Sequence, residues 1–261
     1  MEFFDTHCHL DDPALPAALP ELLAQARGQG VCRWLLPAVD PAHWARVLDV
    51  AQAHEGVVVA LGVHPHVVDR LEDSVLERAL ARLPQTLSLP QVVAVGEVGL
   101  DHLRQKDPQG RARQRRVFEQ QLQIAIDADV PVCVHCVRAQ GAMMEVLKAN
   151  AAWGHIKGIM HAYGGSAQMV PLYVQAGLHL AFGGLTARPN ARRSAASCAA
   201  VPPGRLLLET DAPYMPIEHG AGASRPVDIV QVAQAVARHR AVSVQEIAAL
   251  TTANACALFG L

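Results

Sequence analysis

Short aliphatic runs alternate with longer amphipathic segments along the chain. Eight of the aliphatic runs have the length and flanks of β-strands: Glu2–Thr6, Arg33–Pro37, Val57–Leu61, Val92–Val95, Val132–His135, Gly158–His161, Leu178–Phe182 and Arg205–Glu209. The segments between them carry apolar residues three and four positions apart, which predicts helices over Pro16–Arg27, Pro41–His54, Ser74–Leu83, Gln114–Asp127, Gly141–Ala151 and Ser166–Gln175. Continuous apolar strands that alternate with helices are typical of a parallel sheet covered on both faces.

Eight strand–helix units in a chain of 261 residues predict an α/β fold of the closed (β/α)8 TIM-barrel type, built as one domain over residues 1–261. An open, doubly wound sheet is the alternative. Its nucleotide-binding form is disfavoured, because no Gly-x-Gly-x-x-Gly segment follows a predicted strand and no Walker loop is present. Two further helices, Val227–Arg238 and Ser243–Phe259, are expected to pack on the outside of the barrel.

Composition narrows the function classes. Hydrophobic residues make up 51% of the chain, which is enough for a large core and argues against disorder. The formal net charge of −2 is atypical of a protein that binds nucleic acid over its whole surface, and 4% aromatic residues argue against a platform for base stacking. Any contact with nucleic acid must therefore be local. The unusual count is histidine, at 13.

The six cysteines are too sparse for a disulfide scaffold, the first residues carry no basic or apolar leader, and the aliphatic runs are too short to span a membrane. We therefore expect a reduced, cytoplasmic protein with no membrane partner. Cys133 and Cys136 have the spacing of a thioredoxin-like pair. On an extended strand such positions point to opposite faces, so a redox function is disfavoured.

Histidines and carboxylates fall where predicted strands end, and in a barrel the carboxyl-terminal ends of the strands build the working face. The first strand runs into Asp5-Thr6-His7-Cys8-His9. Because side chains alternate along a strand, His7 and His9 share a face and Asp5 lies below them. Two neutral imidazoles at this spacing can bind one metal ion.

The same pattern recurs at the ends of other strands, which gives six candidate metal ligands on five strands: His7, His9, Glu97, His135, His161 and Asp211. Taken singly, each could be a hydrogen-bonded polar residue at a strand exit. Together they converge on one barrel mouth, where a buried carboxylate needs a counter-charge that a metal supplies. The sequence therefore predicts a metal centre.

Charge arithmetic favours two divalent ions and an anionic substrate. Two ions bring four positive charges, of which Glu97 and Asp211 neutralise two if the histidines are neutral. A bridging hydroxide leaves about one positive charge, which suits a phosphate ester. None of the three lysines (Lys106, Lys148 and Lys157) ends a predicted strand, so a carboxylated lysine is not expected and Glu97 is the expected bridge.

Three longer segments carry a family resemblance: Phe3-Phe4-Asp5-Thr6-His7-Cys8-His9-Leu10-Asp11, Gly96-Glu97-Val98-Gly99-Leu100-Asp101 and Leu207-Leu208-Glu209-Thr210-Asp211-Ala212-Pro213-Tyr214. With Gly62-Val63-His64-Pro65-His66, Gly158-Ile159-Met160-His161 and Asn254-Ala255-Cys256-Ala257-Leu258-Phe259-Gly260, they resemble, in order along the chain, the signatures of TatD-type metal-dependent deoxyribonucleases. The resemblance implies an amidohydrolase-type barrel that binds divalent metals and hydrolyses nucleic-acid phosphodiesters.

The resemblance also implies a division of labour among the ligands. One ion would be held by His7, His9, Glu97 and Asp211, and the other by Glu97, His135 and His161. Asp211 stands where the family has the proton acceptor for the attacking water, with a role as ligand alone as the alternative. Asp5 and Glu209 are expected to support the ligands from behind.

Two departures from the family pattern concern substrate contacts. The family continues the histidine of strand five as His-x-Arg followed by an acidic residue, whereas this chain has His135-Cys136-Val137-Arg138. Arg138 either reaches, from a shifted loop, the substrate phosphate that the family's arginine would contact, or it loses that contact. An Arg-Asn-x-Pro-type segment is replaced here by Ser224-Arg225-Pro226.

His64 and Arg104 are the other candidate substrate contacts. His64 would donate to a phosphate oxygen. Arg104 is the residue nearest to a strand end in the basic run, which comprises Arg104, Lys106, Arg111, Arg113, Arg115 and Arg116. Arg113–Arg116, later in that run, is more typical of a solvated helix face. His66 and His102 are weaker candidates. The remaining histidines are expected to be structural or at the surface: His43, His54, His155, His179, His219 and His239.

The leading hypothesis is a binuclear hydrolase that cleaves DNA phosphodiester bonds with a metal-bound hydroxide, using zinc, manganese, nickel or magnesium. Hydrolysis of a small ester or phosphoester, or of an acyl-RNA, on the same scaffold is the first alternative. A metal-binding scaffold without catalysis is the second. The oligomeric state is left open.

Overall fold

The computed structural model describes residues 1–218 and 222–261. Eight parallel strands lie side by side in chain order: β1 (Phe3–Asp5), β2 (Val31–Pro37), β3 (Val57–Leu61), β4 (Val92–Asp101), β5 (Val132–Val137), β6 (Gly158–Met160), β7 (Leu178–Phe182) and β8 (Leu206–Leu208). Each strand pairs with the next in parallel register. The predicted barrel is confirmed.

Hydrogen bonds from residues just beyond β1 and β8 close the barrel. The backbone N–H and the hydroxyl of Thr6 both donate to the Leu208 carbonyl, at 3.0 and 2.9 Å. The Asp5 carboxylate accepts from the Thr210 hydroxyl at 2.6 Å and from the Thr210 N–H at 2.9 Å, and Asp211 N–H donates to the His7 carbonyl at 2.8 Å. These bonds tie His7 to Asp211 across the closing seam.

The barrel interior is filled by one buried side chain from each strand: Phe4, Leu35, Ala60, Ala94, Cys133, Ile159, Ala181 and Leu207. Ala255 and Phe259 of the last helix pack against this set, with the Phe4 and Phe259 ring centroids 5.7 Å apart. That helix therefore covers the amino-terminal end of the barrel from the outside. The barrel interior is therefore apolar at its amino-terminal end, and the histidines lie at its carboxyl-terminal end.

The helices are α1 (Leu19–Gly28), α2 (Trp44–Ala53), α3 (Pro65–Val68), α4 (Asp73–Thr86), α5 (Pro108–Asp127), α6 (Gln140–Ala149), α7 (Val170–Ala176), α8 (Gly184–Ala187), α9 (Arg192–Ala200), α10 (Ile229–Arg240) and α11 (Val244–Phe259). The sequence did not predict α3, α8 and α9. The predicted start of α5 at Gln114 is wrong, because Asp107 accepts the Gly110 N–H at 2.8 Å and Pro108 begins the helix.

β4 is longer than predicted, and the difference matters for the site. The predicted end at Val95 is wrong, since the strand continues to Asp101 after a shift of register between Val95 and Val98. Gly99 pairs with His135 at φ 139°, and a Cβ built there would lie 2.0 Å from the His135 carbonyl oxygen. Glycine therefore lets β4 approach β5 closely and places Glu97 inside the strand instead of after its end.

No single helix in residues 1–218 and 222–261 is long and apolar enough to cross a bilayer. Pro226–Arg240 and Val244–Phe259 meet the criteria of length and composition only as a pair, which is bent by 108°.

The closing seam generates a stability prediction. Thr210→Val removes the hydroxyl that donates to the buried Asp5 carboxylate but keeps the side-chain shape. We expect the free energy of unfolding of the chelated protein to fall by about 1–3 kcal/mol, the cost of leaving a buried polar group without a partner. Urea unfolding measures this loss.

The matched control is Thr251→Val in α11, whose hydroxyl donates to the Ile247 carbonyl within the same helix. This substitution should cost less than about 1 kcal/mol, because that carbonyl is an acceptor within the helix. Equal losses of unfolding free energy in the two variants would contradict a larger contribution from the bond between Thr210 and Asp5.

Candidate metal centre

His7 and His9 leave β1 on the same side and point into the barrel mouth. Their Nε2 atoms are 3.3 Å apart, and the His7 side chain is fully buried. On the carboxylate side, the two Nε2 atoms lie 3.3 and 3.8 Å from Oε2 of Glu97. The alternation expected from the sequence thus brings both imidazoles to one point.

Glu97 stands at the centre of the cluster, with only 2% of its surface exposed. Its Oε2 atom faces His7 and His9, whereas its Oε1 atom faces a second group of imidazoles. His64 Nε2, His135 Nδ1 and His161 Nε2 lie 3.3, 2.9 and 3.2 Å from Oε1. One carboxylate therefore joins two sets of imidazoles through its two oxygens.

Asp211 completes the set on the side of β1. Its Oδ1 atom lies 3.4 Å from His9 Nε2 and 3.7 Å from His7 Nε2. The residue has a left-handed backbone, with φ 55°, which is uncommon outside glycine but tolerated best by Asp and Asn. The bond from its N–H to the His7 carbonyl holds that conformation and aims the carboxylate into the mouth. All six expected ligands thus meet in one place.

Three groups of side chains in the described residues present atoms close enough together to hold an ion: His7 with His9 and Asp211, His7 with Glu97 and His161, and His64 with His66 and His135. In the third group, His64 Nδ1 accepts the His66 backbone N–H at 3.0 Å. A neutral His64 therefore carries its proton on Nε2 and has no free lone pair for a cation. We assign His64 as a donor.

The two residues expected behind the ligands have different partners. Asp5 accepts from Thr210 and, at 3.3 Å, from the His7 backbone N–H, so it fixes the backbone of the first strand end and not an imidazole. Glu209 accepts the Ala162 N–H at 2.6 Å and lies 3.6 Å from His161 Nδ1. Of Asp5 and Glu209, it is therefore Glu209 that stands behind a candidate ligand ring.

The electrostatics of the site follow from its crowding. Burial opposes ionisation of Glu97, but the charges of the surrounding imidazoles outweigh it and hold the pKa of Glu97 well below its usual range. Burial likewise opposes ionisation of Asp211, whose pKa is nevertheless lowered by the hydrogen bond from His9 and the charge on His161. Both carboxylates are therefore ionised at neutral pH.

Burial and the neighbouring carboxylates act in opposite directions on the imidazole pKa values, and their balance differs between His161 and His64. Burial favours neutral His161, but Glu97 and Glu209 outweigh it and raise the pKa of His161 well above its usual value. For His64, burial prevails and lowers the pKa to about 4. His64 is therefore neutral over the physiological range, which agrees with its assignment as a single-proton donor.

A cavity of 280 Å³ opens above the cluster and is lined by His9, Val39, His64, His66, Glu97, Arg104, His135, His161, Asp211 and Tyr214. A larger groove of 660 Å³ lies at the other end of the barrel, beside Arg27, Gly30 and Gly56. None of the three ligating groups found in the described residues borders that groove. The smaller cavity, which candidate metal ligands line, is therefore the candidate site.

The candidate substrate contacts separate in the structure. His64 and Arg104 line the cavity, whereas Arg138 is exposed on the loop after β5 and does not line it. Arg113 and Arg115 form ion pairs on α5, at 2.7 Å with Asp73 and at 2.9 and 3.0 Å with Glu119 and Glu145. Arg113 and Arg115 thus connect α5 to the neighbouring helices α4 and α6, whereas Arg104 lies at the rim of the cavity.

Sequence reasoning gave too little weight to His66 and gave no role to Asp101, Cys133 or Tyr214. His66 Nε2 lies 2.5 Å from Asp101 Oδ2, and Cys133 Sγ lies 3.4 Å from His7 Nδ1. The available signal was that Asp101 ends a long apolar run and that His66 follows His64 at the end of β3. His219, expected to be structural or at the surface, lies outside the described residues.

The chain is similar to known proteins over nearly its whole length. The family model for TatD-related DNases matches residues 4–260. The chain is 35% identical over 263 residues to the metal-dependent hydrolase YjjV of Escherichia coli, covering 99% of this chain and 98% of that protein. It is 29% identical over 269 residues to the 3′-5′ ssDNA/RNA exonuclease TatD of Citrobacter rodentium, with 99% and 98% coverage.

The fold matches a solved structure over nearly its whole length. The crystal structure of E. coli YjjV superimposes with a TM-score of 0.89 at 34% identity, covering 99% of this chain and 98% of that one. A parallel barrel with histidines and carboxylates at its carboxyl-terminal mouth is the architecture of a metal-dependent hydrolase. The chain belongs to the TatD-related DNase family.

The charge coupling in the site is testable without substrate. In metal-free protein, Glu97→Gln removes the carboxylate that most raises the pKa of His161, so that pKa should fall toward its usual value. The sign follows from the charge, because an anionic neighbour favours imidazolium and a neutral amide does not. NMR titration of the ring protons in the presence of a chelator measures it.

Glu119→Gln, on the exposed face of α5, is the matched control and should leave the titration of His161 unchanged. An unaltered His161 in the Glu97→Gln variant would contradict the contact between these two residues.

Proposed function

We propose that this chain is a binuclear metal-dependent deoxyribonuclease. One divalent ion would be held by His7, His9, Glu97 and Asp211, and the other by Glu97, His135 and His161. The observation that carries this proposal is the position of Glu97, whose two oxygens face separate groups of imidazoles 2.9–3.8 Å away. A bridging carboxylate between two cations needs such an arrangement.

The residues present fit a pair of cations. In the described part of the chain, every ion-pair partner of the buried Glu97 is a histidine, so its compensating charge comes either from protons on the imidazoles or from bound cations. Imidazole and carboxylate ligands suit zinc, manganese and nickel, and the carboxylates also suit magnesium. Bound divalent ions would supply Lewis-acid stabilisation of the phosphoryl oxygens and make hydroxide available near neutral pH.

The residues of the chain take distinct parts in hydrolysis. Asp211 lines the cavity as an ionised carboxylate and accepts the proton of the attacking water at its Oδ1 atom. His64 presents Nε2–H to the same space and donates to a phosphoryl oxygen. Arg104, exposed at the rim, neutralises a neighbouring backbone phosphate. Asp211 thus serves the attack of water, His64 stabilises charge on the phosphoryl group, and Arg104 positions the substrate.

Nucleic acid as the substrate is supported by one relative and by the rim. The C. rodentium relative is named an exonuclease of single-stranded DNA and RNA. Tyr214 is 50% exposed beside His9, with its hydroxyl donating to Asp12, so its ring offers a fixed flat surface to a base. Arg138 stays a predicted contact, from the loop outside the cavity. A location in the cytoplasm also stays a prediction, in agreement with the six free cysteines.

A small ester or phosphoester is the second candidate substrate. The cavity of 280 Å³ is at the small end of ligand sites and could enclose such a molecule completely. An acyl-RNA would have to place its ester in the same space. The two classes differ in whether contacts outside the cavity, such as Arg104, contribute to turnover.

Two carboxylate variants test the two-ion arrangement. Glu97→Gln should weaken the binding of both ions, because Glu97 belongs to both sets, whereas Asp211→Asn should weaken only one. Turnover of DNA should fall more than about a hundredfold in each, which is the upper end of what outer partners alone produce. Metal analysis after gel filtration gives the stoichiometry, and Glu119→Gln is the control. Full activity in both variants would refute the site, and activity lost with both ions bound would leave a role in chemistry alone.

A matrix of metals and substrates tests the substrate class. Chelated protein is reloaded with zinc, manganese, nickel or magnesium and given end-labelled single- and double-stranded DNA, RNA and a nitrophenyl ester. We expect metal-dependent cleavage of DNA, and Arg104→Gln should raise KM for DNA about tenfold, as loss of about 1.4 kcal/mol of binding would. Arg116→Gln, exposed on α5, is the control.

Cleavage of the ester with DNA left intact would favour the second candidate. Metal binding without cleavage of any substrate would favour a scaffold.

A further inference from the structure

Asp101 is a buried carboxylate that the proposed chemistry does not use. It ends β4, four residues after Glu97, and is 2% exposed. His135 lies between the two carboxylates, with Nδ1 2.9 Å from Glu97 Oε1 and Nε2 3.3 Å from Asp101 Oδ2. Asp101 thus stands behind His135, on the side of the ring turned away from Glu97.

The backbone fixes the direction of the Asp101 carboxylate. Its Oδ1 atom accepts the N–H groups of Leu103 and Arg104, both at 2.9 Å. Its Oδ2 atom is thereby turned toward two rings, with His66 Nε2 at 2.5 Å and His135 Nε2 at 3.3 Å. An ionised carboxylate only accepts hydrogen bonds, so each of these ring nitrogens carries a proton.

We propose that Asp101 is a positioning residue that keeps the proton of His135 on Nε2 and leaves Nδ1 as the ligand atom. In metal-free protein the ring lies between two ionised carboxylates and donates to both, from Nδ1 to Glu97 and from Nε2 to Asp101. A cation in the mouth would take the place of the Nδ1 proton, and the proton that Asp101 holds on Nε2 leaves the Nδ1 lone pair to bind it. Partners of this kind fix both the tautomer and the orientation of a metal-binding ring. The inference rests on the proposed function for the identity of the ligand set, but the proton position is a property of this chain.

His66 belongs to the same hydrogen-bond network, which accounts for its position beside the site. Its Nε2–H donates to Asp101 Oδ2, and its backbone N–H donates to His64 Nδ1. Asp101 and the first turn of α3 therefore set the protons of three neighbouring rings. Each of the three carries a proton on Nε2, and only His135 turns its Nδ1 toward Glu97.

The isosteric variant Asp101→Asn reverses the donor pattern. The amide oxygen must continue to accept the N–H groups of Leu103 and Arg104, which turns the amide NH2 toward the rings. An NH2 group only donates, so His135 Nε2 has to become an acceptor, and the ring keeps its one proton on Nδ1, facing Glu97. That proton then occupies the position from which His135 would bind a cation.

The test is ¹⁵N NMR of the histidine rings at a fixed, mildly alkaline pH, together with metal titration. In wild-type protein, with and without zinc, His135 Nε2 should carry a proton, and in Asp101→Asn it should not. The affinity for one of the two ions should fall about 10–100-fold in the variant, and the affinity for the other should stay unchanged. Asp107→Asn, a carboxylate that caps α5 in the same loop, is the matched control and should change neither measurement.

A bare Nε2 on His135 in wild-type protein would overturn the inference, as would a variant that keeps the Nε2 proton and both affinities. If Asp101→Asn does not fold, the wild-type spectrum decides. Wild-type protein that fails to bind two ions contradicts the proposed function, and the proton position on His135 in metal-free protein still decides the role of Asp101.

Discussion

The structure of the barrel mouth depends on one buried negative charge, the carboxylate of Glu97. Five imidazoles lie within 3.8 Å of its oxygens, divided between Oε2 on the β1 side and Oε1 on the side of β5 and β6. An isolated carboxylate is costly to bury, so the site is stable only while positive charge is present. Protons on the histidines meet this need in part, and a pair of divalent ions would meet it fully.

The fold satisfies this requirement by carrying Glu97 within a strand. Because β4 extends past Glu97 to Asp101, the same strand supplies the central carboxylate and the acceptor behind His135. At the opposite seam, the bonds between Asp5 and Thr210 hold the ends of β1 and β8 together. The ligand positions are thus fixed by backbone pairing on both sides, and little conformational freedom remains to be lost when an ion binds.

The periodicity of the sequence was sufficient to predict the barrel and to bring His7, His9, Glu97, His135, His161 and Asp211 to one end of it, because parallel strands in a barrel share a common edge. Strand lengths were less predictable. The shift of register between Val95 and Val98 depends on how β4 meets β5, which no local pattern of residues records. The partner of His66 was hidden for the same reason, since Asp101 lies 35 positions away and meets it only through the packing of α3 against β4.

The most direct measurement is an anomalous difference map from crystals grown with manganese or zinc, collected at the absorption edge of the metal. The account predicts two peaks flanking the Glu97 carboxylate, one in contact with His7, His9 and Asp211 and the other in contact with His135 and His161. A single peak, no peak, or a metal bound through His64 would contradict it.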